Sequence, residues 1–269
     1  MKRLLFFLAV AGICLSPLYA QSIPLSFSET LSMGGFGGTT IQGATGTIVV
    51  PSAEPVWNEQ GAALSTGYSL LYSSEGITHI PYVKVGFNRD LEAHASLDIN
   101  SSGLDLLLGG KWRFDHRNNN SMAVGINSQL LEMFASNATD ISYAVQFYYV
   151  STFGGMFIDW PAKITLLLGY TLDEDPNSDI DFGMGFQTPF FEDIFNDKMV
   201  FLIDFGNVSY SKSPSAGNAH NRGLINVGIR LLPIQLGRSI AISSDLRALD
   251  LLDDTGRAVS LAMNISLTR

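Results

Sequence analysis

Apolar and polar side chains alternate with a period of two in twelve successive segments of this chain, and that period most constrains how it can fold. The segments are 62–73, 77–89, 91–100, 104–115, 121–131, 140–150, 161–171, 179–188, 199–210, 223–232, 238–247 and 257–267. In Leu91 to Asn100, the residues Leu91, Ala93, Ala95, Leu97 and Ile99 share one face, and Glu92, His94, Ser96, Asp98 and Asn100 share the other. Val259, Leu261, Met263, Ile265 and Leu267 oppose Ser260, Ala262, Asn264 and Ser266 in the same way. Successive side chains of a strand point to opposite faces, so each segment reads as a strand with one apolar and one polar face. The breaks carry turn residues, as in Asn88-Arg89-Asp90, Asn100-Ser101-Ser102-Gly103 and Asn118-Asn119-Asn120.

The apolar faces are rich in Leu, Phe, Tyr and Trp, whereas the polar faces are built largely of Gly, Ser, Asn and Asp. Charged residues make up 15% of the chain, below the roughly 25% of a typical soluble domain. Past the first 20 residues no apolar run is long enough to form a spanning helix. Each segment has about the length a tilted strand needs to cross a bilayer. An open sheet edge in lipid leaves backbone groups unpaired, so such a sheet must close. These observations predict an all-β, up-and-down antiparallel transmembrane barrel of about 12 strands, with 14 as the alternative. An even count returns both chain ends to the periplasmic side and makes the connection Ser211 to Arg222 an outside loop.

Residues 1–20 have the order of a secretory signal peptide: Met1-Lys2-Arg3, the apolar stretch Leu4 to Leu15, a break at Ser16-Pro17, and Ala20 before the expected cut. Cys14, the sole cysteine, lies inside this leader, so the exported chain is expected to have no thiol and no disulfide. The balance of 16 basic against 25 acidic residues argues against a nucleic-acid partner, which requires a basic face. Export with a lipid-facing barrel implies location in the cell outer membrane of a Gram-negative-type envelope. Its expected partners are outer-membrane lipids and the barrel-assembly machinery.

Residues 21–61 do not follow the hairpin series. Met33-Gly34-Gly35-Phe36-Gly37-Gly38 is Gly-rich, and Gly43-Ala44-Thr45-Gly46-Thr47-Ile48-Val49-Val50-Pro51-Ser52-Ala53 follows it. Gln60-Gly61 then leads into Gly67-Tyr68-Ser69. This arrangement, marked by Gly43, Gly46, Pro51 and Gly61, resembles over about 30 residues the opening of the YjbH-type outer-membrane barrels linked to exopolysaccharide production. The resemblance implies an outer-membrane location and a polysaccharide partner, and no catalytic residue. From the residues themselves three placements stay open: a plug or inner strand in the lumen, a periplasmic lead-in, or further wall strands.

By parity, the charges Lys84, Glu92, Asp98, Asp105, Lys111, Arg113, Asp181, Asp204, Arg230, Asp245 and Arg247 face the lumen. Such groups either screen solutes across a narrow pore or pair with one another and fill it. The four histidines His79, His94, His116 and His220 lie in no nucleophile motif; His94 and Asp98 share the inner face, more simply as polar lumen residues. Asp173, Glu174 and Asp175 cluster without a nearby His and read as a solvated loop. No catalytic residue, metal pattern or cofactor motif is present in the sequence. The reading is a non-enzymatic, porin-like channel or export conduit for small solutes or polysaccharide. A closed structural or adhesin-type barrel acting through its outside loops is the alternative, and a lipid hydrolase stands behind both.

Overall fold

The computed structural model describes residues 38–56, 62–74, 76–101, 103–117, 119–131, 142–157, 160–173, 180–189, 198–207, 224–236, 240–252 and 257–267. The leader, Gly34, Gly61, Glu174 and Asp175, His220 and the connection 211–222 lie outside these residues.

Twelve strands form one closed antiparallel barrel: β1 (Ala63–Ser73), β2 (Gly76–Gly86), β3 (Leu91–Ile99), β4 (Leu104–Arg117), β5 (Asn120–Leu131), β6 (Ser142–Phe157), β7 (Trp160–Asp173), β8 (Asp181–Pro189), β9 (Met199–Gly206), β10 (Leu224–Gln235), β11 (Ile240–Leu249) and β12 (Ala258–Leu267). Each strand pairs with its sequence neighbours, and β1 pairs with β12 from Leu64↔Leu267 to Ser73↔Ala258, so no edge is left open. No described helix is long and apolar enough to cross a membrane. The 14-stranded alternative is overturned, because twelve strands already close the wall and the described part of the N-terminal segment makes only the isolated bridges Thr39↔Thr45 and Gly46↔Pro51.

The two faces follow the sequence alternation. Large apolar residues such as Tyr72, Leu108, Trp112, Phe147, Met184, Leu246, Leu261 and Met263 are exposed on the outside. In β12, burial alternates residue by residue along the whole strand. The outer wall is thus apolar on strand after strand, which is the surface lipid solvates.

Some strand ends differ from expectation for local reasons. The strand predicted over 77–89 stops at Gly86, because Asn88 Oδ1 accepts from the amides of Asp90 and Leu91, both at 2.8 Å, and so turns the chain. β10 runs past the expected Leu232 to Gln235, with a register shift between Leu231 and Ile234 around Pro233. Proline lacks the N–H a ladder needs, and a bulge is how a strand passes it. β6 continues beyond Val150 to Phe157, paired with β7 as far as Phe157↔Trp160.

Both β1 and β12 have their chain-end termini at the same mouth of the barrel, together with the turns after β2, β4, β6, β8 and β10. The ends of β5 and β9 and the starts of β6 and β10 lie at the opposite mouth.

Candidate functional site

The lumen is occupied by the chain itself. Residues 39–53 are buried throughout, and Ile41, Ile48 and Val50 are fully buried. The segment is folded on its own backbone: the Thr40 amide donates to Ala44 O (2.7 Å), Ile41 to Ile48 O (2.9 Å), Gly46 to Gly38 O (3.1 Å) and Ser52 to Thr45 O (2.9 Å). Two motif glycines make this fold possible. Gly43 has φ 97° and packs against the Tyr82 ring stem. At Gly46 a Cβ would lie 2.4 Å from Val50 O and 2.7 Å from Pro51 Cα, so no larger residue fits without moving backbone.

The segment's apolar side chains join wall residues in one cluster that includes Ile41, Ile48, Val50, Leu71, Leu167 and Leu202. The wall makes room with its own glycines: a Cβ on Gly183 would meet Val50 at 2.9 Å, and one on Gly185 would meet Thr47 at 2.8 Å.

The polar contacts gather charges from around the barrel. On β3, Glu92 accepts from the Thr45 amide (2.9 Å), the Thr45 hydroxyl (2.6 Å) and the Val56 amide (2.5 Å), with Lys111 Nζ at 3.3 Å. On β9, Asp204 Oδ2 accepts from the Thr47 hydroxyl (2.9 Å) and from the consecutive amides of Ile48, Val49 and Val50 (2.9, 2.8 and 3.2 Å). Its other oxygen accepts from Asn226 on β10 (2.7 Å). Arg230 donates to Gly46 O (3.0 Å), Thr47 O (2.8 Å) and both oxygens of Asp245. Arg247 donates to Thr39 O and to Asp245, both at 2.5 Å. Lys84 reaches the Thr39 hydroxyl (2.8 Å), and Lys111 reaches Thr45 O (3.0 Å) and Ser52 O (2.9 Å).

All eleven charges assigned to the inner face by parity are buried there, at 7% exposure or less. Seven of them, Lys84, Glu92, Lys111, Asp204, Arg230, Asp245 and Arg247, form the network around residues 39–56. The others are held elsewhere or sit nearer a mouth. Arg113 pairs with Asp90 (3.0 Å) and donates to Arg89 O (2.7 Å) in the β2–β3 turn. Asp181 accepts from Gln146 (2.8 Å) and Thr171 (2.6 Å). Asp98 and Asp105 face each other in register near the opposite mouth.

Two contacts escaped the sequence reading. Lys163 on β7 pairs with Glu54 of the segment (2.8 Å), and Thr152 on β6 accepts from the Ala53 amide (2.9 Å). The signal at Lys163 was masked by Leu166-Leu167-Leu168, an apolar run that hides which face is which. Of the motif residues, Gly43, Gly46 and Pro51 lie in the lumen segment.

Among the described residues, His79, His94 and His116 form no Ser–His–Asp arrangement. His94 is buried in the lumen beside Gly109, and its Nδ1 has no hydrogen-bond partner among the described residues. Asp98 accepts instead from Asn100 (3.3 Å). His79 is hydrogen-bonded to Tyr68 on the outer face. His116 contacts the Ser121 hydroxyl at 2.9 Å, but Ser121 is buried inside the wall, away from lipid. Among the described residues no group of three or more His, Cys, Asp or Glu converges to hold a metal.

No protein-family model matches the chain, and no curated protein matches it in sequence. Among solved structures it is similar to the KdgM porin, with a TM-score of 0.48 and 6% identity over 76% of this chain and 99% of the porin. It is also similar to the outer membrane protein Omp33 of Acinetobacter baumannii, with a TM-score of 0.45 and 7% identity over 78% of this chain and 99% of that one. An outer membrane channel from Pseudomonas putida F1 aligns with a TM-score of 0.45 and 9% identity over 82% and 99% of the two chains.

Proposed function

We propose that this protein is an outer-membrane channel whose lumen is closed at rest by its own residues 38–56. The apolar outer wall suits a bilayer, and the wall is complete without the segment. The observation that carries the reading is how the segment is held. Its backbone is tied by hydrogen bonds to charged side chains on β3, β4, β9, β10 and β11, and its Thr39 and Thr45 hydroxyls to Lys84 on β2, and water can replace each of those bonds. The segment joins the wall next to the start of β1, so it is tethered at one mouth and can leave through it without breaking a strand pair. In this reading the chain conducts small solutes or polysaccharide and catalyses nothing.

The test is Gly46→Val in the full chain, recorded in planar bilayers. The substitution prevents the inner fold and leaves every wall charge in place. Single-channel conductance is expected to rise well above that of the unaltered protein, with heat-modifiable migration in detergent retained. A folded, heat-modifiable variant that stays silent would favour the closed structural barrel acting through its connections at the opposite mouth.

A further inference from the structure

Resting on the plug reading above, we infer that the wall beneath the plug is a binding site for organic anions, occupied in the closed state by the plug's own carbonyl groups. Lys84, Lys111, Arg230 and Arg247 come from β2, β4, β10 and β11, and each is at most 2% exposed. They converge on the stretch Thr39 to Ser52, which the Thr39↔Thr45 bridge folds into a compact unit. What they meet there is mostly neutral oxygen: Thr39 O, Thr45 O, Gly46 O, Thr47 O and Ser52 O, with the hydroxyls of Thr39 and Thr45. A carbonyl satisfies the geometry of a cationic donor and leaves its charge uncompensated, whereas a carboxylate satisfies both.

The wall does not balance the charge at this level. Glu92, Asp204 and Asp245 are the carboxylates in the network, against Lys84, Lys111, Lys163, Arg230 and Arg247. Lys163 is neutralised by Glu54, which belongs to the plug and leaves with it. A second, independent sign is Arg247 Nη1, a buried guanidinium donor with no acceptor among the described residues. A planar fork with an open N–H suits a carboxylate or phosphate oxygen. Of the other buried carboxylates among the described residues, Asp98, Asp105 and Asp181 stand at the opposite-mouth ends of β3, β4 and β8, and Asp250 follows the end of β11 at that mouth. The unplugged lumen is therefore basic in the middle. It is donor-rich where the plug was and matched to solutes bearing more than one carboxylate.

The experiment uses two opening variants of the full chain: Gly46→Val, and residues 39–56 replaced by an equal length of Gly and Ser. Reversal potentials in a KCl gradient are expected to show chloride preferred over potassium by about twofold or more. Citrate, used as the tricarboxylate probe, is expected to reduce the current at concentrations where chloride of equal ionic strength does not. Lys84→Gln with Arg247→Gln in either background is expected to abolish both effects. Open variants that conduct without anion preference, or citrate block that survives the paired substitution, would overturn the anion site and leave the plug reading standing. Folded variants that do not conduct at all would overturn both.

Discussion

Asp204 shows how a single side chain positions the lumen segment. One carboxylate oxygen accepts from three consecutive amides, Ile48 to Val50, and from the Thr47 hydroxyl. Successive N–H groups turned to one side make an anion nest, here filled by the wall instead of by a ligand. Asp204→Ala removes this anchor, and charge-assisted bonds contribute about 1.5–3 kcal/mol each without adding independently. Hydrogen exchange at the Ile48, Val49 and Val50 amides is expected to accelerate by roughly two orders of magnitude or more, matching a loss of about 3 kcal/mol. The strand amides should keep their protection. Asp181→Asn, whose partners are Gln146 and Thr171, should leave those three amides slow. Equal acceleration in both variants would contradict this placement of Asp204. Gly43→Ala tests the turn itself: at φ 97° an L-residue costs roughly 1–2 kcal/mol, and the added methyl crowds Tyr82. Faster exchange of the Gly46 amide, with unchanged barrel melting, is the expected outcome.

At the scale of the strand, lipid contact makes the cost of a charge depend on depth. Met263 lies midway along β12 with its side chain outward, whereas Phe182 is one residue from the start of β8. Met263→Arg is expected to cost about 2–4 kcal/mol in a folding titration into liposomes, and Phe182→Arg about 0–1. Equal costs would mean that these faces do not meet a bilayer in the assigned way. The same periodicity made most of the wall legible from the sequence, since a two-residue period fixes which face each residue takes. It failed where both faces are apolar, as in Leu166-Leu167-Leu168, and Lys163 was missed there. It also could not foresee that β10 passes Pro233 by a bulge, since that register shift depends on how β11 pairs. The lumen segment has no period at all. Its glycines and threonines signal a special backbone, but their partners lie far along the chain, as with Thr47 and Asp204 or Thr39 and Arg247. That pairing becomes visible once the barrel has closed around it.

The whole molecule is a wall closed by strand pairing around a segment that takes no part in that pairing, and its interior combines two kinds of contact with different sensitivities. Strand pairing is backbone-to-backbone, whereas much of the segment's hold is charged side chain to backbone. Urea solvates peptide groups, so it should release the plug at concentrations that leave the barrel paired. A cross-link would prevent that release. Thr47 Cβ lies 3.4 Å from where a Cβ would stand on Gly185, close to the roughly 3.5–4.5 Å a disulfide spans. The most direct measurement is therefore the conductance of Thr47→Cys with Gly185→Cys, combined with Cys14→Ser to leave no competing thiol, in sub-denaturing urea under oxidising and then reducing conditions. The plug account predicts silence while the disulfide holds and discrete conductance steps after reduction, with the barrel heat-modifiable in both states. Equal conductance before and after reduction, with the disulfide verified by mass spectrometry, would contradict it.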